Sequence, residues 1–440
     1  AIVKQLIRSV QTIALLDYPD KWGSLQEHIA SALRSENERG ILAGLQALFC
    51  LAKKYEYELG PEREPLFAIM SAFQGDLGSI AEKALASAAE NEAAQAILVQ
   101  VIKVFYTANQ LFLCPHVKEM GLLQSWMGLF KTVLDMAVPA ALDSPTEDPD
   151  EVAARDKSTY WKMKAQAARM AFRLFSKYAN LKYVKNDEQE LAFCTAFQQT
   201  FAEPLLESTL QLLFRTGTNF LGSKTLNFVI KLVSSASKID VTMAKMVPFV
   251  DKIMYEKLVP LMMVTAKDQQ LFTDDPIEFI RRQNDIMETV YQPRNSAIDL
   301  LQYLCQHKAA GAGRKAKPEY LVPFLTFASK NMADFKAAMA GGVAADWRIE
   351  EALLFAVGHL QEQIGLYKDL KASIEPMLKE HVLPLLSAGQ PMLQSRACWM
   401  YGEYADFKIG EDDHVRAATD GIYQCLYSAH LPVRFQAGLA

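Results

Sequence analysis

The chain has 440 residues, half of them hydrophobic and 22% charged, a balance too apolar for a disordered segment. With 21 Gly and 18 Pro it is too poor in helix breakers for a collagen-like or linker protein, and it leans helical. A formal net charge of −5 over this length argues against a nucleic-acid binder acting through bulk positive charge and mildly favours basic partners.

The chain opens inside an apolar-periodic segment, Ile2 to Ile7, and closes inside another, Pro432 to Ala437. Neither end carries capping residues, so the chain reads as a fragment truncated at both ends. Apolar residues then recur at helical spacing. Ile41, Leu45, Leu48, Ala52 and Tyr55 form one stripe; Ala167, Met170, Ala171, Leu174, Phe175 and Tyr178 form a second. Leu353, Ala356, Val357, Leu360 and Ile364 make a third, and Ala397, Met400, Tyr401, Tyr404 and Ala405 a fourth. Brief breakers separate such runs: Tyr18-Pro19-Asp20, Leu59-Gly60-Pro61, Gly75-Asp76, Cys114-Pro115 and Leu431-Pro432. Two longer interruptions, an acidic one at 143–157 and a basic Gly/Ala-rich one at 307–318, predict exposed loops. About nineteen helices result, or nine to ten antiparallel pairs. No pair can enclose its own stripe, so neighbours must stack. The prediction is all-α: one continuous HEAT-repeat α-solenoid, a right-handed superhelix with no internal domain boundary.

Signatures of catalysis are missing. Six scattered cysteines form no CxxC and read as buried free thiols in a reducing compartment. Seven dispersed histidines form no HExxH, so no metal and no cofactor is expected. Gly217 to Thr225 resembles a P-loop, but a Ser intrudes between Gly222 and Lys224, and the preceding Leu205–Arg215 reads as helix where a strand is needed. Asp274-Asp275 and Glu350-Glu351 read as solvated helix starts and faces, and the five tryptophans as core. No stretch approaches the ~18 apolar residues that span a bilayer, so no membrane partner is expected. The expectation is a soluble intracellular protein that is not an enzyme.

Two helix openings share a grammar: Pro432-Val433-Arg434 followed by Ala437, and Ser395-Arg396-Ala397-Cys398-Trp399. An Arg near a helix start can pair with an acid of the neighbouring repeat, while small residues let the axes approach. The tract Leu271-Phe272-Thr273-Asp274-Asp275-Pro276-Ile277-Glu278-Phe279-Ile280-Arg281-Arg282 resembles the W/F-x-x-D-P-x-E-Y-I-R segment of importin-β (karyopherin-β) family nuclear transport receptors. The resemblance is to the importin-seven/importin-eight subgroup and, in related form, to the CAS-type exportin. Asp17-Tyr18-Pro19-Asp20-Lys21-Trp22, then Lys53 to Tyr57 with Glu62 to Leu66, then 351–440 with His381 to Leu386, resemble the same subgroup in order and spacing.

The resemblance implies a HEAT solenoid that shuttles between cytoplasm and nucleus. It would carry basic cargo such as ribosomal proteins or histones, touch Phe-Gly nucleoporins weakly, and release cargo on Ran-GTP. Importin-β would serve at times as co-receptor, and no nucleic acid would be bound directly. The main Ran contact would lie in repeats before Ala1. Asp274, Asp275, Pro276, Glu278, Arg281, Arg282, Arg396, Trp399 and Arg434 are the candidate interaction or structural residues. A CAS-type exportin, or a HEAT scaffold or adaptor outside transport, remains the alternative.

Overall fold

The computed structural model describes residues 2–184, 187–285, 291–308, 311, 313 and 316–440, and every regular element among them is helical. The chain forms two compact units: Ala1–Pro145 with Val152–Ile239, and Thr146–Glu151 with Asp240–Ala440. The architecture is that of an α-solenoid, built of antiparallel helix pairs that stack on their neighbours.

In unit 1, α1 (Ile2–Asp17) precedes four pairs: α2 (Leu25–Leu33) with α3 (Glu38–Lys54), α4 (Glu64–Ser87) with α5 (Glu92–Asn109), α6 (Met120–Asp135) with α9 (Thr159–Tyr178), and α11 (Glu203–Arg215) with α12 (Ser223–Ala236). Short helices α7 (Ala140–Asp143), α8 (Pro149–Asp156) and α10 (Glu188–Phe197) fill the connections. The second helices form a row, α3–α5–α9–α12, each packed on the next and covered on one side by its own first helix. Burial follows from that position. In α5, Leu98, Val101, Ile102, Val104 and Phe105 are fully enclosed, and each large apolar side chain so enclosed contributes roughly 1.5–3 kcal/mol. Asn37, Asn91 and Ser158 cap the starts of α3, α5 and α9 through backbone N–H groups.

Two sequence expectations are revised here. Gly75-Asp76 does not break the chain: α4 runs through it, because burial of Phe73, Leu77 and Ile80 outweighs the ~1 kcal/mol that Gly costs a helix. The acidic 143–157 tract is largely folded. Asp143 receives Arg215 and Asn219, buried Arg155 donates to Ser144, and Asp156 accepts the Ser223 N–H at 2.7 Å. Of the 307–318 interruption, 309–310, 312 and 314–315 lie outside the described residues. Around them, Lys317 pairs with Asp369, and Tyr367 donates to the Ala316 carbonyl.

The ends of helices in unit 1 are closed by cations from adjoining elements. Lys54 donates to the carbonyls of Leu15 and Tyr18, Lys164 to Leu134 and Met136, Arg173 to Gln110, and Lys177 to Leu111. Arg63 reaches Tyr55, Glu56 and Glu58 beyond α3 and Ala108 at the end of α5. Such contacts answer the unpaired carbonyls and partial negative charge of a helix C-terminus. Burial pulls Lys164 down to about 7.

Unit 2 repeats the design. A helical stretch from α13 (Asp240–Met246) to α14 (Val259–Met262) packs on α17 (Pro293–Leu304), with α15 (Ala266–Asp274) and α16 (Pro276–Asn284) between them in sequence. Then come α18 (Leu321–Ala340) with α19 (Trp347–His359) and, after the short α20 (Gln361–Gly365), α21 (Lys368–Ala372) and α22 (Ile374–Met377), the helical 378–387 stretch with α23 (Pro391–Glu403). Last is α24 (Asp412–Cys425) with α25 (Leu431–Leu439). Among the described residues each unit thus holds four such pairs, with α1 added to unit 1 and the α15–α16 hairpin to unit 2.

Three first helices share a local device. The backbone widens to a π turn at Gln198–Ala202, Lys252–Leu258 and Leu378–Val382, and each is followed by a proline, Pro204, Pro260 or Pro384. A proline inside a helix lacks the N–H and crowds the carbonyl four residues back, and the wider turn relieves both.

Arg63→Met is expected to cost about 2–4 kcal/mol, because four carbonyls lose their donor in a buried site. Arg63→Lys should recover only part of this, since one ammonium cannot span both helix ends. Denaturant titration checks both; a wild-type midpoint for Arg63→Met would refute the role.

Candidate functional site

The row α17–α19–α23–α25 carries a cleft of about 700 Å³ on its open face. Its floor is built from the starts of three successive second helices. Glu351 accepts both Arg294, at 2.7 and 2.8 Å, and Arg396, at 2.7 and 2.9 Å, so one carboxylate joins three helices. Glu351 is 3% exposed. Burial would raise its pKa, but the two guanidiniums win and hold it below the ordinary carboxylate value.

Aromatic rings extend the cluster. The Phe355 ring lies 4.4 Å from the Arg294 guanidinium and 4.8 Å from that of Arg396, which also stands 4.4 Å from Trp399. His359 meets Phe355 edge-on at 4.5 Å, and its pKa is pushed down to about 4 by burial and by both arginines, so it is neutral. Gly358 permits this packing: a Cβ there would lie 2.3 Å from the Trp399 ring. The α15–α16 hairpin forms one wall through Phe272 and Phe279, whose rings meet edge-on at 5.2 Å, and Phe272 also faces His430 at 5.9 Å.

The sequence-predicted residues divide three ways. Arg396 and Trp399 line the cleft, and Arg396 pairs with Glu351 of the neighbouring helix. Asp275 and Pro276 start α16: the Asp275 carboxylate accepts the Glu278 N–H at 3.0 Å, with Pro276 in the first turn. Glu278 is bound by Arg281 and Arg282 within the same helix, which hold it down to about 2, and Asp274 ends α15 beside them. Arg434 makes no repeat-linking pair; it donates to the carbonyls of Ser428 and Ala429.

Glu350 and Glu351 correct the expectation of solvated carboxylates, because both point into the packed row, 2% and 3% exposed. Arg294, Phe355 and His359 went unnoticed in the sequence. Pro293-Arg294 at a helix start follows the same grammar as Pro432-Val433-Arg434 and was the available signal. Trp126 and Trp161 are core residues as expected, whereas Trp22, Trp347 and Trp399 are half-buried. All six cysteines are buried free thiols. The P-loop-like tract follows helix α11 and opens α12. Among the described residues, no helix is long and apolar enough to cross a membrane.

A second recess, of about 520 Å³, lies in unit 1 between the first helices α4 and α6. Trp126, Leu85 and Leu129 line it. Gly75, Gly78 and Gly128 keep it open, since nothing lies within 4 Å of a Cβ built on any of them.

Residues 62–338 match the Cse1 family model. The chain belongs to the Cse1 family. It is 28% identical over 440 residues to importin-8 of Mus musculus, covering 99% of this chain and 41% of that protein. It is 26% identical to the importin beta-like SAD2 homolog of Arabidopsis thaliana, covering 99% and 40%. Among solved structures, the exportin Cse1 in its cargo-free, cytoplasmic state superposes with a TM-score of 0.74 at 18% identity, over 98% of this chain and 45% of that one. The chain is thus of importin-β karyopherin type, and spans about two-fifths of the length of these curated relatives.

Glu351→Gln should cost about 3–5 kcal/mol, because it strands two buried guanidiniums. Glu350 is the contrasting case. Burial raises its carboxyl to about 8, and its Oε2 has no partner. The folded chain keeps this proton where the unfolded chain has lost it. Stability therefore falls as pH rises from about 5 to 8, by at most ~1.4 kcal/mol per pH unit. Glu350→Gln should melt with the wild type at pH 5 and above it at pH 8; equal melting at both would contradict the assignment.

Proposed function

We propose that the chain is part of a nuclear import receptor that binds basic protein cargo, such as ribosomal proteins or histones, and releases it on Ran-GTP. The observation that carries this reading is a likeness to importin-8 running along 99% of the chain. The architecture supports the mechanism. Each pair touches only its neighbours, so small changes at each interface add up along the array. A partner that grips separated repeats then competes with one preferring another curvature. The acidic tract supplies a surface for basic cargo: Glu147 is 77% exposed and pairs with Arg348 at 3.1 Å. Electrostatic attraction there would speed encounter and weaken with salt.

Passage through the pore would use the α4–α6 recess. A Phe ring fits beside Trp126 where the three glycines leave room, weakly and with many such contacts at once. The protein would accordingly shuttle between cytoplasm and nucleus, with importin-β as an occasional co-receptor. The family model and the solved exportin favour a second reading, a CAS-type exportin.

Ran separates the two. In a pull-down with the full-length receptor carrying this chain, Ran-GTP should dissolve a histone complex if the protein imports, and strengthen cargo binding if it exports. Absence of Ran binding would sink both readings. The pore contact has its own test: Gly78→Leu with Gly128→Leu fills the recess without clash. Melting should stay unchanged while retention on immobilised Phe-Gly repeats falls several-fold. Unchanged retention would move the contact elsewhere.

A further inference from the structure

The net charge of the chain conceals an opposite charge on one face. The four second helices of unit 1 (α3, α5, α9 and α12) hold eleven Lys or Arg against two acids, Glu38 and Glu92, both in the first turn of their helices. Helix α9 has five cations in twenty residues and no acid. The matching row of unit 2 holds four of each sign, so the excess is particular to unit 1.

Part of this charge is already used. Lys54, Lys164, Arg173 and Lys177 close helix ends, and Lys53 pairs with Glu56. Lys103 on α5, Lys162 and Arg169 on α9, and Lys224 on α12 are different. Among the described residues none of the four has a carboxylate partner, and they act on one another: the Lys103 pKa is lowered by burial and then by Lys162, Lys224 and Arg169. Arg169 lies over the Tyr106 ring at 3.9 Å. Unpaired cations that repel one another across three neighbouring helices favour an anionic ligand.

Beside them the same face carries a recess of about 410 Å³ with Gln46 on α3, Gln100 on α5 and Gln166 on α9. These are carboxamides on successive helices, and none makes a side-chain hydrogen bond among the described residues. Packed helices lie about 8–10 Å apart, which an extended peptide covers in roughly three residues. A carboxamide gives and accepts a hydrogen bond at once, as a peptide group requires, whereas a phosphodiester offers acceptors only.

We infer that the open face of the α3–α5–α9–α12 row is a binding site for an acidic, extended peptide segment of a partner protein, its main chain held by Gln46, Gln100 and Gln166 and its carboxylates by Lys103, Lys162, Arg169 and Lys224. The inference stands whether the receptor imports or exports.

Fluorescence anisotropy with the 440-residue chain tests it, using a labelled (Glu-Ala)6 peptide, a (Lys-Ala)6 control and a single-stranded RNA of equal charge. The acidic peptide should bind at about 0.1 M salt, weaken steeply as salt is raised, and outcompete the RNA. Charge reversal at the exposed pair, Lys162→Glu with Lys224→Glu, should reduce affinity at least about tenfold with melting unchanged. Gln100→Ala with Gln166→Ala should reduce it several-fold at every salt concentration. The inference is overturned if the acidic peptide fails to bind, if the charge-reversed chain binds it equally, or if only RNA binds.

Discussion

No helix pair in this protein can bury its own apolar stripe, and the rest of the structure answers that constraint. A second helix such as α5 or α9 is enclosed by its own first helix and by the second helices on either side. The hydrophobic effect supplies the attraction but is non-directional, and would tolerate sliding of one pair past the next. Register between pairs therefore depends on the polar groups at the helix ends.

Two kinds of pin set it. In unit 1 they are cations placed on the terminal carbonyls of a neighbouring helix, with Arg63 joining the ends of α3 and α5. In unit 2 one buried carboxylate, Glu351, holds Arg294 and Arg396 from the helices before and after it. A buried ion cluster of this kind adds little net stability over well-packed apolar residues, but losing one member is costly. Its effect is to penalise misregister. Because each pin spans one interface, an array so held can change curvature without losing its core.

The same arrangement decides where charge is left over. Cations that close helix ends are neutralised in place, and those one or two turns away on the open face are not. Unit 1 thereby presents Lys103, Lys162, Arg169 and Lys224 together, whereas in unit 2 the acids of the row balance its arginines. A net charge of −5 for the whole chain describes neither face.

The helices were legible in the sequence because apolar residues recur with the helical period, and the stacking because about nineteen amphipathic helices cannot share one core. The capped start of α16 at Asp275-Pro276 and the repeat-linking Arg396 were legible too, since a cap is local and a helix-start arginine needs an acid. The partners were not. Glu350 and Glu351 look like two solvated carboxylates in sequence, and only the packing of α19 on α17 and α23 makes one a paired anion and the other an isolated buried acid. Arg434 shares the motif of Arg396, yet finds carbonyls of its own turn. Local periodicity and turn chemistry follow from residues a few positions apart, so the sequence by itself determined the class of fold. Burial, pKa and charge balance depend on residues far apart in the chain, and only the tertiary structure decided which of them meet.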